Sequence, residues 1–132
     1  MKYKAGYKYQ LAEPFVTKVN IYPNQHIGLD FIVLGTDGTL MINKGYAWDG
    51  CSGPTWDDKT NMRAGLVHDA LFQLMRSKML DLGWRRTADD EFKRICKEDG
   101  MSSIRAWLYW RAVRTFGEKC AEWQDDIILE AP

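Results

Sequence analysis

Residues 63–72 read RAGLVHDALF, and at this stretch the spacing of the apolar residues becomes helical. Leu66, Ala70 and Leu74 recur at positions that share one helix face, which predicts a helix over residues 61–79. His68 and Asp69 interrupt this apolar run, although the chain contains only two histidines. A titratable pair among buried leucines indicates either a functional site or a hydrogen-bonded core histidine.

A second helix is predicted from the stretch TADDEF at residues 87–92. Thr87 followed three residues later by Asp90 has the form of a capping box, with the Thr87 hydroxyl as N-cap. The helix is expected to run to about Lys97 and to stop at Gly100. Acidic residues in a first turn also offset the helix dipole, which gives them a structural reason to be there.

A third helix follows, with the sequence IRAWLYWRAVRTF, capped by Ser102 or Ser103 and ended by Gly117. Its aromatic residues and arginines could stack on nucleic acid. Their helical spacing favours packing in the core instead, with a solvated arginine edge. The residues that define this spacing are Trp107, Leu108 and Arg111.

Upstream of the helices the chain has the two-residue period of half-buried strands. Strands are predicted at residues 15–22, 27–33 and 39–43, with a shorter one at 7–11. Asp37-Gly38 stands between two apolar runs and predicts a hairpin turn.

Strands first and helices second indicate an α+β fold, with an N-terminal antiparallel β meander and three packed C-terminal helices. Between them lies the glycine-rich loop GYAWDGCSGPTWDDKT, at residues 45–60. The length of 132 residues predicts one domain, divided into a β-rich part at 1–44, the loop at 45–60 and a helical part at 61–132.

Composition excludes several classes of protein. Eighteen basic and eighteen acidic residues cancel, so no overall charge attracts the chain to nucleic acid, and no nucleic-acid partner is expected. Three cysteines without CxxC spacing make a disulfide framework or a zinc cluster improbable and favour a reducing compartment. Neither a transmembrane segment nor a signal peptide is predicted, because no apolar run is long enough for either.

The candidate site combines His68, Asp69 and Asp89. If the helices that carry them pack antiparallel, Asp89 can reach His68, fix its tautomer and leave the other ring nitrogen free as a base. Asp69 diverges from His68 by about 100° around the helix and could hold a cation. Calcium prefers oxygen ligands, which the loop could supply. The predicted metal ligands are Asp69, Asp49, Gly50 and Gly53.

Structural alternatives stand beside each of these assignments. His68 could be a core histidine, and Asp89 could pair with Arg63, Arg85 or Arg86 instead. The loop aspartates could serve only to form turns. The other histidine, His26, is expected to be solvated in a turn before a strand.

The stretch NMRAGLVHDALF followed by ADDEF resembles the His-Asp core of the secretory phospholipase superfamily, in the compact form found in parvovirus capsid proteins. That family carries an HDxxY motif on one helix and an aspartate in an A-D-x-x-[FL] context on a second. The resemblance implies that His68 activates water, that Asp69 binds calcium and that Asp89 orients His68. The chain departs from the pattern at Phe72, where the family has tyrosine, and in the loop, whose glycines are displaced from the family's Y-x-G-x-G.

A second resemblance covers more of the chain, from the β meander to the arginine-rich third helix. It is to a family of uncharacterised proteins encoded mainly by tailed bacteriophages and prophages, and it implies a phage gene without an established reaction. The matching residues are Asp49, Ser52, Pro54, His68, Asp69, Leu71, Phe72, Ala88, Asp89, Phe92 and Arg111.

Three functions remain open from the sequence. The first is a phage-encoded, calcium-assisted, phospholipase-like ester hydrolase that uses a His68–Asp89 dyad. The second is a non-enzymatic virion or accessory protein in which the cluster is structural. The third is an inhibitor of a host defence factor anchored by Trp48 and Trp56. The expected partners are lipid or another phage or host protein, and the expected location is the cytoplasm of the infected host or the virion.

Overall fold

The computed structural model of the chain describes residues 3–4, 9–48 and 59–116. Within these ranges seven short strands precede three α-helices, which confirms the α+β fold. The strands are β1 (Tyr3–Lys4), β2 (Tyr9–Leu11), β3 (Phe15–Lys18), β4 (Ile27–Leu29), β5 (Ile32–Leu34), β6 (Thr39–Ile42) and β7 (Ala47–Trp48). The helices are α1 (Met62–Arg76), α2 (Arg85–Glu98) and α3 (Ser103–Phe116), with a 3-10 helix at Leu82–Trp84.

The strands form two antiparallel sheets, one in the order β1-β2-β7 and the other in the order β3-β6-β5-β4. The predicted Asp37-Gly38 hairpin is confirmed, because it joins β5 to β6 with Leu34 opposite Leu40. Gly38 has a φ of +85°, which favours glycine, and Asp37 Oδ1 accepts a hydrogen bond of 3.0 Å from the Thr39 N–H. This turn therefore fixes the register of the larger sheet.

The stretch 27–33 is wrongly predicted as one strand. It turns back at Asp30 and Phe31, so that β4 and β5 pair with Leu29 opposite Ile32. A two-residue turn shifts the alternation by one position, because the paired residues on either side of it share a face. Ile32 and Leu34 are consequently buried, whereas Phe31 and Val33, predicted on the apolar side, are exposed.

The predicted strand over residues 15–22 ends early, at Lys18. Val19 and Ile21 are buried, as the alternation predicts, but they leave the sheet. The Val19 N–H donates to the Gly38 carbonyl at 2.9 Å. The next N–H, that of Asn20, donates to a Glu91 carboxylate oxygen at 2.7 Å, so a helix side chain takes the place of a strand partner.

The small sheet modifies two further predictions. The N-terminal strand is confined to Tyr9–Leu11 within the predicted 7–11. Its partner is Ala47–Trp48, which lies inside the stretch predicted as an irregular loop. Residues 49–58 of that loop lie outside the described part of the chain.

The helix ends follow local chemistry that the sequence only partly signals. Helix α2 begins at Arg85 and not after Thr87, because the 3-10 turn, capped by Asp81 Oδ1 on the Gly83 N–H, leads directly into it. Gly100, with a φ of +105°, ends it, and the Met101 N–H bonds to the Cys96 carbonyl. Ser102 caps α3 by accepting the Arg105 N–H at 3.3 Å.

The core lies between the larger sheet and the helices, and α1 is buried over most of its circumference. Helix α2 packs between α1 and α3.

In α3 the predicted core packing of Trp107 and Leu108 is wrong, because both are exposed and the buried residues are Ala106, Tyr109 and Val113. Both sides of this helix are apolar, so its periodicity alone does not select the buried side. No helix in the described ranges is long and apolar enough to cross a membrane.

Candidate functional site

His68 and Asp89 meet where α1 packs against α2. His68 Nε2 lies 2.6 Å from Asp89 Oδ1, and both side chains are 0% exposed. The hydrogen bond predicted between them is therefore confirmed. This hydrogen bond results from the antiparallel packing of α1 and α2, which a short connection joins in the sequence.

Arginines hold the second carboxylate oxygen of Asp89. Arg114 Nη1, from α3, donates to Asp89 Oδ2 at 2.9 Å, and Arg85 Nε lies 4.0 Å from the same oxygen. Arg85 in turn donates to the backbone carbonyl of Arg114 at 2.5 Å. The buried carboxylate of Asp89 thus links α2 to His68 of α1 and to Arg114 of α3. We call these three residues, together with Arg85, the dyad network.

Sequence reasoning named Arg63, Arg85 and Arg86 as partners of Asp89 and missed Arg114. Arg63 lies at the start of α1 and bonds instead to Glu98, the last residue of α2, and to Asp99, which follows it. A signal for Arg114 exists in its position four residues after Trp110, whose indole donates to Asp90 of α2, since positions i and i+4 share one side of a helix. That signal becomes readable only when the side of α3 that faces α2 is known.

The hydrogen-bond partners of Asp89 determine the His68 tautomer. A carboxylate bound to a guanidinium accepts hydrogen bonds only, so Nε2 carries the proton and donates it to Asp89. Nδ1 then presents a lone pair. It is buried and has no hydrogen-bond partner within the described ranges. A buried unsatisfied acceptor costs about 1–3 kcal/mol, and Arg85 Nε is a second buried nitrogen without a hydrogen-bond partner in these ranges.

Aromatic rings enclose the imidazole. The ring of Phe72 lies 4.0 Å from that of His68 between centroids, and the ring of Phe92 lies 5.4 Å away, edge-on. Phe72 stands where the phospholipase pattern has tyrosine, and it packs against the imidazole without offering a hydroxyl. These contacts hold the plane of the ring.

One of the four predicted calcium ligands, Asp69, lies within the described residues. Asp69 is 6% exposed on α1, next to His68. Asp49, Gly50 and Gly53 lie outside the described ranges, as does Trp56. In the ranges that are described, no group of three or more His, Cys, Asp and Glu side chains is placed to hold a metal ion. The fit of a calcium ion therefore rests on Asp69 alone, and we assign it no step in a reaction.

The remaining residues singled out from the sequence differ in burial. Trp48 is buried and packs against Tyr9 with ring centroids 5.5 Å apart, so it is not available as a surface anchor. His26 is exposed, as expected, and its Nδ1 accepts the Thr36 N–H at 3.3 Å. Leu71, Ala88 and Phe92 are core residues, whereas Arg111 is exposed and lies over the Trp107 ring. Ser52 and Pro54 are outside the described residues.

Comparison with known proteins assigns the chain to a family. No curated protein and no solved structure matches the chain significantly. Residues 27–113, which run from β4 into α3 and include His68, Asp69 and Asp89, match a family described as "Protein of unknown function (DUF1353)". The match spans more than half of the sequence, and the chain therefore belongs to the DUF1353 family.

Proposed function

We propose that the protein is an ester hydrolase in which His68 is the general base and Asp89 orients it. The observation that carries the proposal is the asymmetry of the buried imidazole. Nε2 is held at 2.6 Å by Asp89, whereas Nδ1 has no partner among the described residues. A neutral imidazole with one nitrogen fixed and the other free is the arrangement that general-base catalysis requires.

The proposed reaction uses water as the nucleophile. His68 Nδ1 accepts a proton from a water molecule while the water oxygen bonds to the ester carbonyl carbon, which gives a tetrahedral intermediate. Asp89 stabilises the imidazolium that forms, and Arg114 keeps the carboxylate in place. The imidazolium then returns the proton to the departing alkoxide as the ester C–O bond breaks. The products are a carboxylic acid and an alcohol, and His68 is neutral again.

A lipid ester is the proposed substrate class. It is supported by the resemblance of the RAGLVHDALF and ADDEF stretches to the phospholipase superfamily and by the order in which they place His68, Asp69 and Asp89. The same resemblance supports a calcium ion bound through Asp69. We also propose, from the second resemblance, that the gene belongs to a phage and that the protein acts in the infected cell or in the virion. Mass spectrometry of purified virions would separate these two locations.

A structural role is the second candidate, and the burial of the dyad network favours it. Asp89 is 0% exposed and ties three helices together through His68 and Arg114. A buried carboxylate with two partners holds helices in register whether or not the protein is an enzyme. In this alternative the protein is a non-enzymatic phage component or accessory protein.

His68→Gln distinguishes the two candidates. If His68 is the base, hydrolysis of mixed-micelle phospholipid falls by at least about 100-fold. Stability then changes by less than about 1.5 kcal/mol, because the volume and a polar group are retained. If His68 is a strut, the wild type hydrolyses no ester, and the variant differs from it in stability alone. The control is His26→Gln, which changes the exposed histidine. A wild-type protein inactive on every ester, with a badly destabilised variant, would contradict the hydrolase.

Calcium binding is tested separately, by thermal melting. If calcium binds the native protein, Ca²⁺ raises the melting temperature in a concentration-dependent way. Asp69→Asn removes a full negative charge from the proposed ligand and is expected to abolish the shift. Mg²⁺ serves as the control ion. Absence of a shift at millimolar Ca²⁺ would contradict the calcium proposal and leave the His68 base untouched.

A further inference from the structure

The outer face of α3 carries apolar side chains that the rest of the described molecule leaves uncovered. Ile104, Trp107 and Leu108 are 77%, 46% and 53% exposed. They occupy positions i, i+3 and i+4, so they share one side of the helix. Ala106, Tyr109 and Val113 face the opposite way, into the core. We call the first three residues, with Arg111, the outer face of α3.

The charges around this face have one predominant sign. Helix α3 contains three arginines and no acidic residue. Arg111 is exposed on the outer face, with its guanidinium 5.6 Å from the centre of the Trp107 ring. Arg105 stands at one border, and Lys93 of α2 stands at the other, 5.0 Å from the Trp110 ring. Asp90, which accepts the Trp110 indole N–H at 2.8 Å, is the acidic group found at that border.

From this arrangement we propose that the outer face of α3 docks on an anionic lipid surface. An exposed indole with leucine and isoleucine inserts at the level of the headgroups, while arginine side chains reach the lipid phosphates. A negative membrane surface attracts each nearby basic residue. A second copy of the chain fits less well, because a two-fold contact through this face would bring the basic side chains of both copies into one interface.

The proposed docking face is connected to the dyad network through the helix itself. Arg114, seven residues after Trp107 and so beside the outer face, donates to Asp89 of α2 while the outer face stays open to lipid. The inference rests on the proposed lipid-ester hydrolase for its biological use. The binding itself does not depend on catalysis, and it can be measured on ether-linked lipids, which have no ester to hydrolyse.

The experiment is flotation of the full chain with vesicles of the diether analogue of phosphatidylcholine, with and without the diether analogue of phosphatidylglycerol. The wild type is expected to float with the anionic vesicles. Ile104→Ser with Leu108→Ser is expected to weaken binding by at least about tenfold, because interfacial affinity scales with the buried apolar area. Arg111→Glu is expected to weaken binding to the anionic vesicles by about tenfold and to reduce its dependence on salt.

The matched control is Val16→Ser with Met41→Ser, which removes two exposed apolar side chains from the outer side of the larger sheet. This variant is expected to float like the wild type. Melting temperatures verify that each variant is folded. If the double variant on α3 melts early, Trp107→Ser provides a single change on the same face.

Three results would overturn the proposal. One is a wild type that does not float with anionic vesicles, and a second is α3 variants that float as the wild type does. The third is a wild type that fails to float and forms a dimer that the α3 variants abolish, because a second copy then covers the face. If the protein floats with the vesicles but hydrolyses no ester, the docking proposal stands and the hydrolase proposal is contradicted.

Discussion

Asp89 is the residue on which the candidate site depends, because each of its two oxygens serves a different helix. Oδ1 bonds to His68 of α1, and Oδ2 bonds to Arg114 of α3. A carboxylate that is 0% exposed needs charged or strongly polar partners on both oxygens, since desolvation penalises any that lacks them. The same carboxylate therefore orients His68 and holds α3 against α2.

Removing the Arg114 guanidinium should weaken both the orientation of His68 and the attachment of α3 to α2. Arg114→Gln leaves Asp89 Oδ2 without its charged donor, and we expect a loss of about 2 kcal/mol in the free energy of unfolding. This is less than for a fully buried pair, because the Arg114 side chain is 30% exposed. Urea denaturation measures the change. Arg111→Gln, on the exposed side of the same helix, is the control and should change stability by less than about 0.5 kcal/mol. Equal losses in the two variants would show that the Asp89–Arg114 bond contributes nothing specific.

The dyad was predictable at the residue scale and its arginine was not. His68 and Asp89 stand on neighbouring helices joined by a short connection, so antiparallel packing alone brings them together. Arg114 reaches Asp89 only because a particular side of α3 faces α2. That orientation depends on which of two apolar faces is buried, and the sequence of α3 does not decide it.

At the scale of the elements, α1 and α2 are fastened at one end by an ion cluster as well as by the core. Arg63, at the start of α1, bonds to Glu98 at 2.9 Å and to Asp99 at 3.0 Å, just past the end of α2. The hydrogen bond from Arg63 is the main cause that lowers the pKa of Glu98 below its usual 4.5, and the Arg94 charge adds to it. The same contacts raise the pKa of Arg63, with the Asp99 hydrogen bond contributing most.

The lowered pKa of Glu98 predicts a contribution to stability that depends on pH. Because the folded-state value is depressed, the contribution is present above the usual pKa of 4.5 and is lost as the pH falls through the lowered value. Glu98 is largely exposed, so Glu98→Gln should reduce stability at neutral pH by less than about 1 kcal/mol. In urea titrations from neutral to acidic pH, the difference between wild type and variant should shrink below pH 4.5. A difference that stays constant across that range would contradict the assignment.

The elements themselves illustrate what a sequence pattern can resolve. Asp37-Gly38 is a dipeptide typical of hairpin turns, and the structure has the predicted hairpin there. The turn at Asp30-Phe31 carries no glycine or proline, so the alternating residues around it read as one continuous strand. The early end of β3 depends on Glu91, which is distant in sequence and accepts the Asn20 N–H. Local patterns predict local turns, and they fail where a distant side chain decides the outcome.

On the scale of the whole molecule, Glu91 joins the strands to the helices. It is 2% exposed on α2, and its Oε1 accepts the Asn20 N–H at 2.7 Å, just after β3. Its Oε2 accepts from Arg94 Nε at 2.6 Å. Arg94 also reaches the Lys18 carbonyl, at 3.4 Å, so both residues contact the same segment of the β-rich part. The end of β3 is therefore held by α2 through one buried carboxylate and its arginine.

Glu91→Ala should consequently loosen the attachment of the strand end as well as lower global stability. The variant leaves the Asn20 N–H without its acceptor and Arg94 with Glu98 as its remaining carboxylate partner among the described residues, and we expect a loss of about 3 kcal/mol in the free energy of unfolding. Glu91→Gln keeps an oxygen for Asn20 but removes the charge, so about half of that loss is expected. Hydrogen exchange at the Asn20 amide separates the two effects, because exchange should accelerate far more in Glu91→Ala than in Glu91→Gln. If the Asn20 amide exchanges at the wild-type rate in both variants, the bond does not hold the strand end, and other contacts attach the β-rich part to the helices, among them the Tyr46 hydroxyl, which donates to Gln73 Oε1 at 3.0 Å.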